Sequence, residues 1–220
     1  MQLLYVASRT RPDILLPTVV YASRSKSPTK IDYDRLIKVC QYLHGTRNHC
    51  LLFSKEGPIS PRVFVDSSFN LHWDAKGHTG FVIYPDKGRS AGILFKSLKH
   101  KTSSNSSTEA ELMALHEAML HICWIADVYL ELGFDVKPIY VYQDNLSSIV
   151  LSSEESLNFH GRSKFINRKY FGIFEKIENG TIQLVHIGTE DMIADILTKA
   201  LIGKKFKNFT IALLGYKSIV

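Results

Sequence analysis

The sequence predicts an α/β fold, a mixed five-stranded sheet with helices on both faces, preceded by a small α+β segment. Three observations predict it. The runs "RVFVDSS", "TGFVIYP" and "AGILFKS" follow one another across short polar or glycine-containing turns, as three strands of an antiparallel meander do. A helical stretch from about Thr108 to Leu132, stopped by Gly133, separates them from the alternating strand "PIYVYQD". So long a crossover sets the strand after it parallel to the sheet, and "TIQLVHI" supplies a fifth strand.

The remaining elements fall in order around that frame. "TRPDILLP" and "SKSPTK" contain prolines and read as short segments and turns. In "IDYDRLIKVCQYLH", Tyr33, Leu36, Ile37, Cys40 and Leu43 recur at helical spacing, with Gly45 as a stop. "CLLFSKEGPISP" reads as a strand and then a linker, with a boundary near residues 56 to 61. After "PIYVYQD" come a short helix around Asn145 to Leu151 and a basic helix around Arg162 to Ile177. Beyond "TIQLVHI" a last helix spans about Glu190 to Leu201. The division expected is therefore 1–58, 59–202 and a C-terminal tail over 203–220.

Composition narrows the class. In 220 residues, a hydrophobic content of 45% and a charged content of 22% suit a chain with a good core rather than a disordered one. An excess of 27 Lys and Arg over 21 Asp and Glu leaves +6, the sign that favours an acidic partner such as nucleic acid. Three cysteines without a CxxC pair indicate neither a zinc module nor a disulfide framework. The opening "MQLLYVASRTRPDILL" is neither a signal peptide nor a membrane span, so the expected location is cytoplasmic or nuclear, not secreted.

Four acidic residues stand out by position. Asp66 ends the apolar strand "VFVD", Glu109 opens the long helix, Asp144 ends "IYVYQD", and Asp195 sits inside "IADIL". Alone, each has an ordinary reading: a turn aspartate bonding its own backbone, a first-turn glutamate, a solvated helix position. Together, in apolar company, they are costly unless paired or metal-bound. Oxygen ligands without a His or Cys cluster select Mg2+ or Mn2+ over zinc. Four carboxylates suffice for two ions about 4 Å apart, the arrangement of phosphodiester hydrolysis.

These residues carry a resemblance to the ribonuclease H domain of copia-type retrotransposon polyproteins. "VFVDSSF" resembles the first-strand aspartate motif, "SSTEAELMAL" the helix motif, "IYVYQDNLSSI" the strand-end aspartate followed by asparagine, and "GTEDMIADILTKAL" the C-terminal signature. The first 56 or so residues are similar to the region linking polymerase to ribonuclease H, and no Tyr-x-Asp-Asp polymerase motif occurs. The resemblance implies a ribonuclease H-like fold and hydrolysis of the RNA strand of an RNA–DNA hybrid. It also implies a reverse transcriptase domain in the same polyprotein as partner, no membrane, and a virus-like particle as one setting.

Carried over by residue, it implies that Asp66, Glu109, Asp144 and Asp195 hold two Mg2+ ions. Asp66 would bridge both, Asp144 and Asp195 would hold the ion that activates water, and Glu109 would serve the other and contact a ribose hydroxyl. His186, nine residues before Asp195, stands near where many ribonucleases H keep a histidine that helps product leave. Periodicity does not choose between Glu109 and Glu111, because the helix is apolar around most of its circumference. A capping box from Thr108 to Glu111 would give Glu111 a structural task and free Glu109 for metal. Where the family has a second aspartate and an aromatic after the first ligand, this chain has Ser67, Ser68 and Phe69, and Phe165 and Tyr170 replace common histidines.

Candidate contacts to the hybrid are Lys99, Lys101 and Ser107 before the long helix, Asn145 beside Asp144, and Arg162, Lys164 and Arg168 in the basic helix. A third group, Lys199, Lys204, Lys205 and Lys207, reads as a solvated face as readily as a contact surface. Two other readings compete with an active nuclease. One is an inactive remnant that only binds nucleic acid or serves as structure; the other is a transposase or integrase, disfavoured because "STEAE" precedes the "YQDN" strand.

Overall fold

The computed structural model describes residues 1–54, 58–104, 106–145 and 172–216. The chain opens with α1 (Gln2–Arg9), a 3-10 turn (Pro12–Ile14), α2 (Leu15–Ser23) and α3 (Lys30–Gly45). Prolines had argued for turns over the first stretch, yet it is helical. Pro12 starts the 3-10 turn and Pro17 lies in the first turn of α2, where a backbone N–H has no intrahelical acceptor to lose. α3 starts on a capping box: Thr29 Oγ1 accepts from the Asp32 backbone N–H, and the Asp32 carboxylate accepts from that of Thr29. Residues 51–54 are not the expected strand. They lie alongside the segment around Leu214, whose C=O accepts from the Leu52 N–H.

The sheet has the order β3-β2-β1-β4-β5. β1 (Ile59–Ser68), β2 (His78–Asp86) and β3 (Leu94–Lys99) form the antiparallel meander, while β4 (Ile139–Gln143) runs parallel to β1, and β5 (Ile182–His186) parallel to β4. This is the mixed five-stranded sheet expected of a ribonuclease H-like fold. The ends of β1 and β4 and the start of α4 (Ser107–Glu131) meet at one end of it.

Strand alternation divides the core into two layers. Val63 and Val65 pack under Leu112, Leu115, Met119 and Ile122 of α4, with Ile173 of α5 (residues 172–178) in the same layer. Phe64 points the other way, stacked on Tyr142 and edge-on to Tyr84. That second face is covered by Ile14 and Leu15 and by the C-terminal segments.

Two C-terminal expectations need correction. The helix expected over Glu190 to Leu201 shortens to a 3-10 turn, Ile193–Leu197, every residue of which is buried. Such a segment lies flat against β1 and β2, whereas a longer amphipathic helix would present a polar side. The expected tail 203–220 contains α6 (Gly203–Leu213), whose Phe209, Ala212 and Leu213 complete the second layer.

Candidate metal centre

Asp66 is 1% exposed at the end of β1, on the face that Phe64 shares. Ser67 turns to the opposite face, and its backbone N–H donates to Glu111 Oε1 at 3.3 Å. Asp144 follows β4, which pairs with β1, and its Oδ2 accepts from the Thr189 hydroxyl at 3.1 Å. One ligand atom from each of Asp66, Glu111 and Asp144 lies within 4.8 Å of the other two.

The carboxylate supplied by α4 is thus Glu111 rather than Glu109. The helix is capped by Ser106, whose hydroxyl accepts from the Glu109 backbone N–H at 3.1 Å, not by Thr108. Moving the cap by two residues turns the helix by about 200° in helical phase, which exchanges the directions of the two glutamates. Glu109 now holds the third helical position, where capping-box carboxylates stand, and Glu111 is 6% exposed.

Asp195 stands apart from these three carboxylates. It is 1% exposed but lies outside the three-carboxylate cluster, with Lys199 Nζ at 2.6 Å on Oδ1 and Lys205 Nζ at 3.1 Å on Oδ2. Lys199 reaches on to Asp66 Oδ1 at 3.2 Å, and the Thr198 hydroxyl donates to Asp66 Oδ2. Asp195 therefore joins the site through a lysine. Sequence reasoning placed Lys199 and Lys205 in a charge run and missed Thr198 and Thr189. The spacing of Asp195 and Lys199, four residues apart, was the available signal.

The electrostatics are those of a site short of positive charge. Burial raises the Asp66 carboxyl above its ordinary range, and Asp195 and Asp144 add to that against Lys199 and the Thr198 bond. Burial raises Glu111 further, with the Asp66 charge next, against the bonds from Ser67. Glu111 Oε2 is buried with no hydrogen-bond donor among the described residues. Three converging carboxylates and one orphaned oxygen fit a hard divalent cation, which removes their mutual repulsion.

Of the other candidates, His186 is exposed at the end of β5, opposite Gln143 in register and so one residue from Asp144. Lys99 is held at 2.8 Å by Asp74 and lies over the exposed Trp73 ring. Lys101 and Ser107 are exposed in and after the loop that leads into α4, and Asn145 is half-buried beside Asp144. Arg162, Lys164, Arg168, Phe165 and Tyr170 lie outside the described residues. A buried relay runs behind the site: His72 Nε2 meets His78 Nδ1 at 2.9 Å, and His78 Nε2 meets Ser97 Oγ at 2.6 Å. Ser97 donates to Leu197 C=O, so the β1–β2 loop is tied to the 3-10 turn that carries Asp195.

No protein-family profile matches the chain. Among curated proteins, it is 31% identical over 202 residues to the retrovirus-related Pol polyprotein from transposon RE1 of Arabidopsis thaliana, covering 91% of this chain and 13% of that protein. It is 31% identical over 206 residues to the corresponding polyprotein from transposon TNT 1-94 of Nicotiana tabacum, covering 93% and 15%. A Ty1 Gag-Pol polyprotein of Saccharomyces cerevisiae is 28% identical over 94% of the chain and 12% of its own length. The chain thus spans only about one seventh of these relatives.

Similar solved structures include LC11-RNase H1, isolated from compost by a metagenomic approach, at TM-score 0.49 and 17% identity over 64% of this chain and 94% of that one. Another is the foamy viral protease-reverse transcriptase in complex with RNA/DNA hybrid, at TM-score 0.49 and 15% identity over 84% and 23%. Similarity to the retrovirus-related Pol polyproteins of copia-type transposons thus runs through nine-tenths of this sequence and corresponds to one segment of each of them.

Proposed function

We propose that this chain hydrolyses the RNA strand of RNA–DNA hybrids endonucleolytically during retrotransposon reverse transcription, leaving a 3′-hydroxyl and a 5′-phosphate. The observation that carries the reading is the convergence of Asp66, Glu111 and Asp144 within 4.8 Å at the sheet end, with Glu111 Oε2 lacking a donor among the described residues. Two divalent ions, Mg2+ or Mn2+, supply Lewis-acid activation of water and stabilisation of the leaving oxygen when bound.

The chain's own residues account for the rest. Asp66, Glu111 and Asp144 face the reacting phosphate, and Thr189 fixes the rotamer of Asp144 through its hydrogen bond. Thr198 does the same for Asp66. Lys99, Lys101, Ser107 and Asn145 offer phosphate contacts around that end. The 2′-hydroxyl distinguishes the strand to be cut, and Glu111 takes over the ribose contact first assigned to Glu109.

The division into a polymerase-connection segment, 1–58, and a ribonuclease H domain from residue 59 is part of this proposal. So is a reverse transcriptase domain in the same polyprotein, acting in a cytoplasmic particle or the nucleus. Among the described residues no helix is long and apolar enough to cross a membrane.

The test is cleavage of a hybrid carrying labelled RNA, with Mg2+, by the wild type beside Asp144→Asn. Wild type is expected to cut the RNA strand and the variant to lose on the order of 10²-fold or more. Intact RNA with wild type, or equal cutting by the variant, rules the reading out.

A further inference from the structure

The segment "DILTK" places Lys199 one helical turn after Asp195. A pair at that spacing commonly does no more than brace a helix surface. Here the geometry goes further, because the same ammonium reaches across the fold to Asp66, 133 residues earlier in sequence. Lys199 Nζ sits 2.6 Å from Asp195 Oδ1 and 3.2 Å from Asp66 Oδ1, both carboxylates being almost wholly buried. A cation shared by two converging carboxylates is the geometry in which a divalent ion is held. The other Asp195 oxygen is met by Lys205.

Lys199 differs from its two acidic partners in one respect. Its side chain is 37% exposed, so the long, flexible stem has a route to solvent that the buried carboxylates lack. The cluster of Asp66, Glu111 and Asp144 offers three converging carboxylates to one ion, while the space between Asp66 and Asp195 already holds a positive charge.

We propose that Lys199 is a displaceable counter-cation that occupies the position of the second ion, between Asp66 and Asp195, and leaves it when that ion binds. This rests on the metal centre proposed above and gives it an order. The first ion enters the three-carboxylate cluster, where Lys199 touches Asp66 alone, and the second competes with Lys199 for both of its carboxylates. The lysine thereby keeps the buried aspartates neutralised until the site is fully charged, which makes it a positioning residue of the acidic site.

The experiment is titration of the metal-free full chain with Mn2+, in the absence of nucleic acid, followed by electron paramagnetic resonance of the free ion. Wild type is expected to bind one Mn2+ and then a second more weakly. Lys199→Met and Lys199→Gln are expected to strengthen the second event by on the order of tenfold, since a screened unit charge a few ångströms away suffices for that. Lys199→Arg keeps the charge and is expected to give no gain. Thermal unfolding of each variant identifies any that fails to fold, and Gln keeps a polar contact to Asp195 should Met not be tolerated.

Isotherms for the Met and Gln variants that superimpose on wild type overturn the inference. So does an Arg variant that gains as much as Met, or a wild type that binds no Mn2+. Because the readout is ion binding without substrate, it separates from the hydrolytic reading. Failure to cleave hybrid with the isotherms as expected removes the proposed activity and leaves the role of Lys199 standing.

Discussion

Replacing Glu111 with Gln is expected to lower cleavage of the RNA strand by on the order of 10³-fold, while Glu109→Gln stays within about twofold of wild type, because only the first removes charge from the reacting centre. Gln at 111 retains an oxygen to accept the Ser67 backbone N–H, so the backbone around Asp66 keeps its support. What is lost is the negative charge beside Asp66 and Asp144. Glu109 lies at the third position of α4, where its backbone N–H is capped by Ser106, and Gln fits the same place.

The same substitution has a signed effect on stability. A carboxyl whose pKa is raised in the folded state contributes stability that is full below its unfolded pKa, near 4.5, and is lost as pH rises through the folded value. Metal-free wild type should therefore lose stability as pH rises from about 5 to 9. Glu111→Gln removes that loss, so its melting temperature without metal should exceed that of wild type at pH 8 and approach it at pH 5. Mg2+ should stabilise wild type increasingly at higher pH, as protons cease to compete, and stabilise the variant much less. Differential scanning calorimetry with and without Mg2+ reads all of this. A variant less stable than wild type at pH 8 without metal would assign Glu111 a structural task instead.

Gly80→Ala is the second change with a large expected effect. Gly80 is the register partner of Asp66 on β2, and a Cβ there would lie 2.6 Å from Thr198 Cγ2, 2.8 Å from Leu197 Cβ and 3.2 Å from the Ala194 carbonyl oxygen. Two of these contacts are shorter than real Cβ atoms show, and the neighbours belong to a packed turn rather than to a mobile chain end. The 3-10 turn would have to move away from the sheet, taking with it the Thr198 hydroxyl and the Lys199 ammonium that hold Asp66.

Overpacking of this kind costs about 1–3 kcal/mol, or a fall in melting temperature of roughly 2–4 °C per kcal/mol for a chain of this size. Cleavage should fall as well, because Asp66 loses its positioning. Gly45→Ala is the control: a Cβ at Gly45, the last residue of α3, has nothing within 4 Å, and neither property should fall. Thermal unfolding and the hybrid assay on the two variants separate this account from a general intolerance of glycine replacement.

The meander, the long crossover helix and the two parallel strands were legible because each has its own period and its own punctuation. Asp66 and Asp144 were legible for the same reason, being the polar stops of apolar strands. The α4 glutamate was not, and the cause is local. Ser106 and Thr108 are both good caps two residues apart, and the choice between them reverses the two carboxylates.

The burial pattern along α4 separates the two glutamates where their residue types do not. Glu111 lines up at helical spacing with Leu115, Ala118 and Ile122, all buried, whereas Glu109 lines up with His116 and Leu120, both exposed. The lysines of the site were invisible for a different reason. A run such as Lys199, Lys204, Lys205 and Lys207 reads as solvated surface until the fold shows that Lys199 and Lys205 turn inward onto Asp195. The N-terminal helices were hidden by prolines that stand where a helix tolerates them.

The most direct test of the metal centre is anomalous diffraction from a crystal of the full chain grown with Mn2+. The account predicts a peak bound by Asp66, Glu111 and Asp144, with the Glu109 carboxylate away from it. A peak coordinated by Glu109, or well-ordered Asp66, Glu111 and Asp144 with no Mn2+ among them, would contradict it.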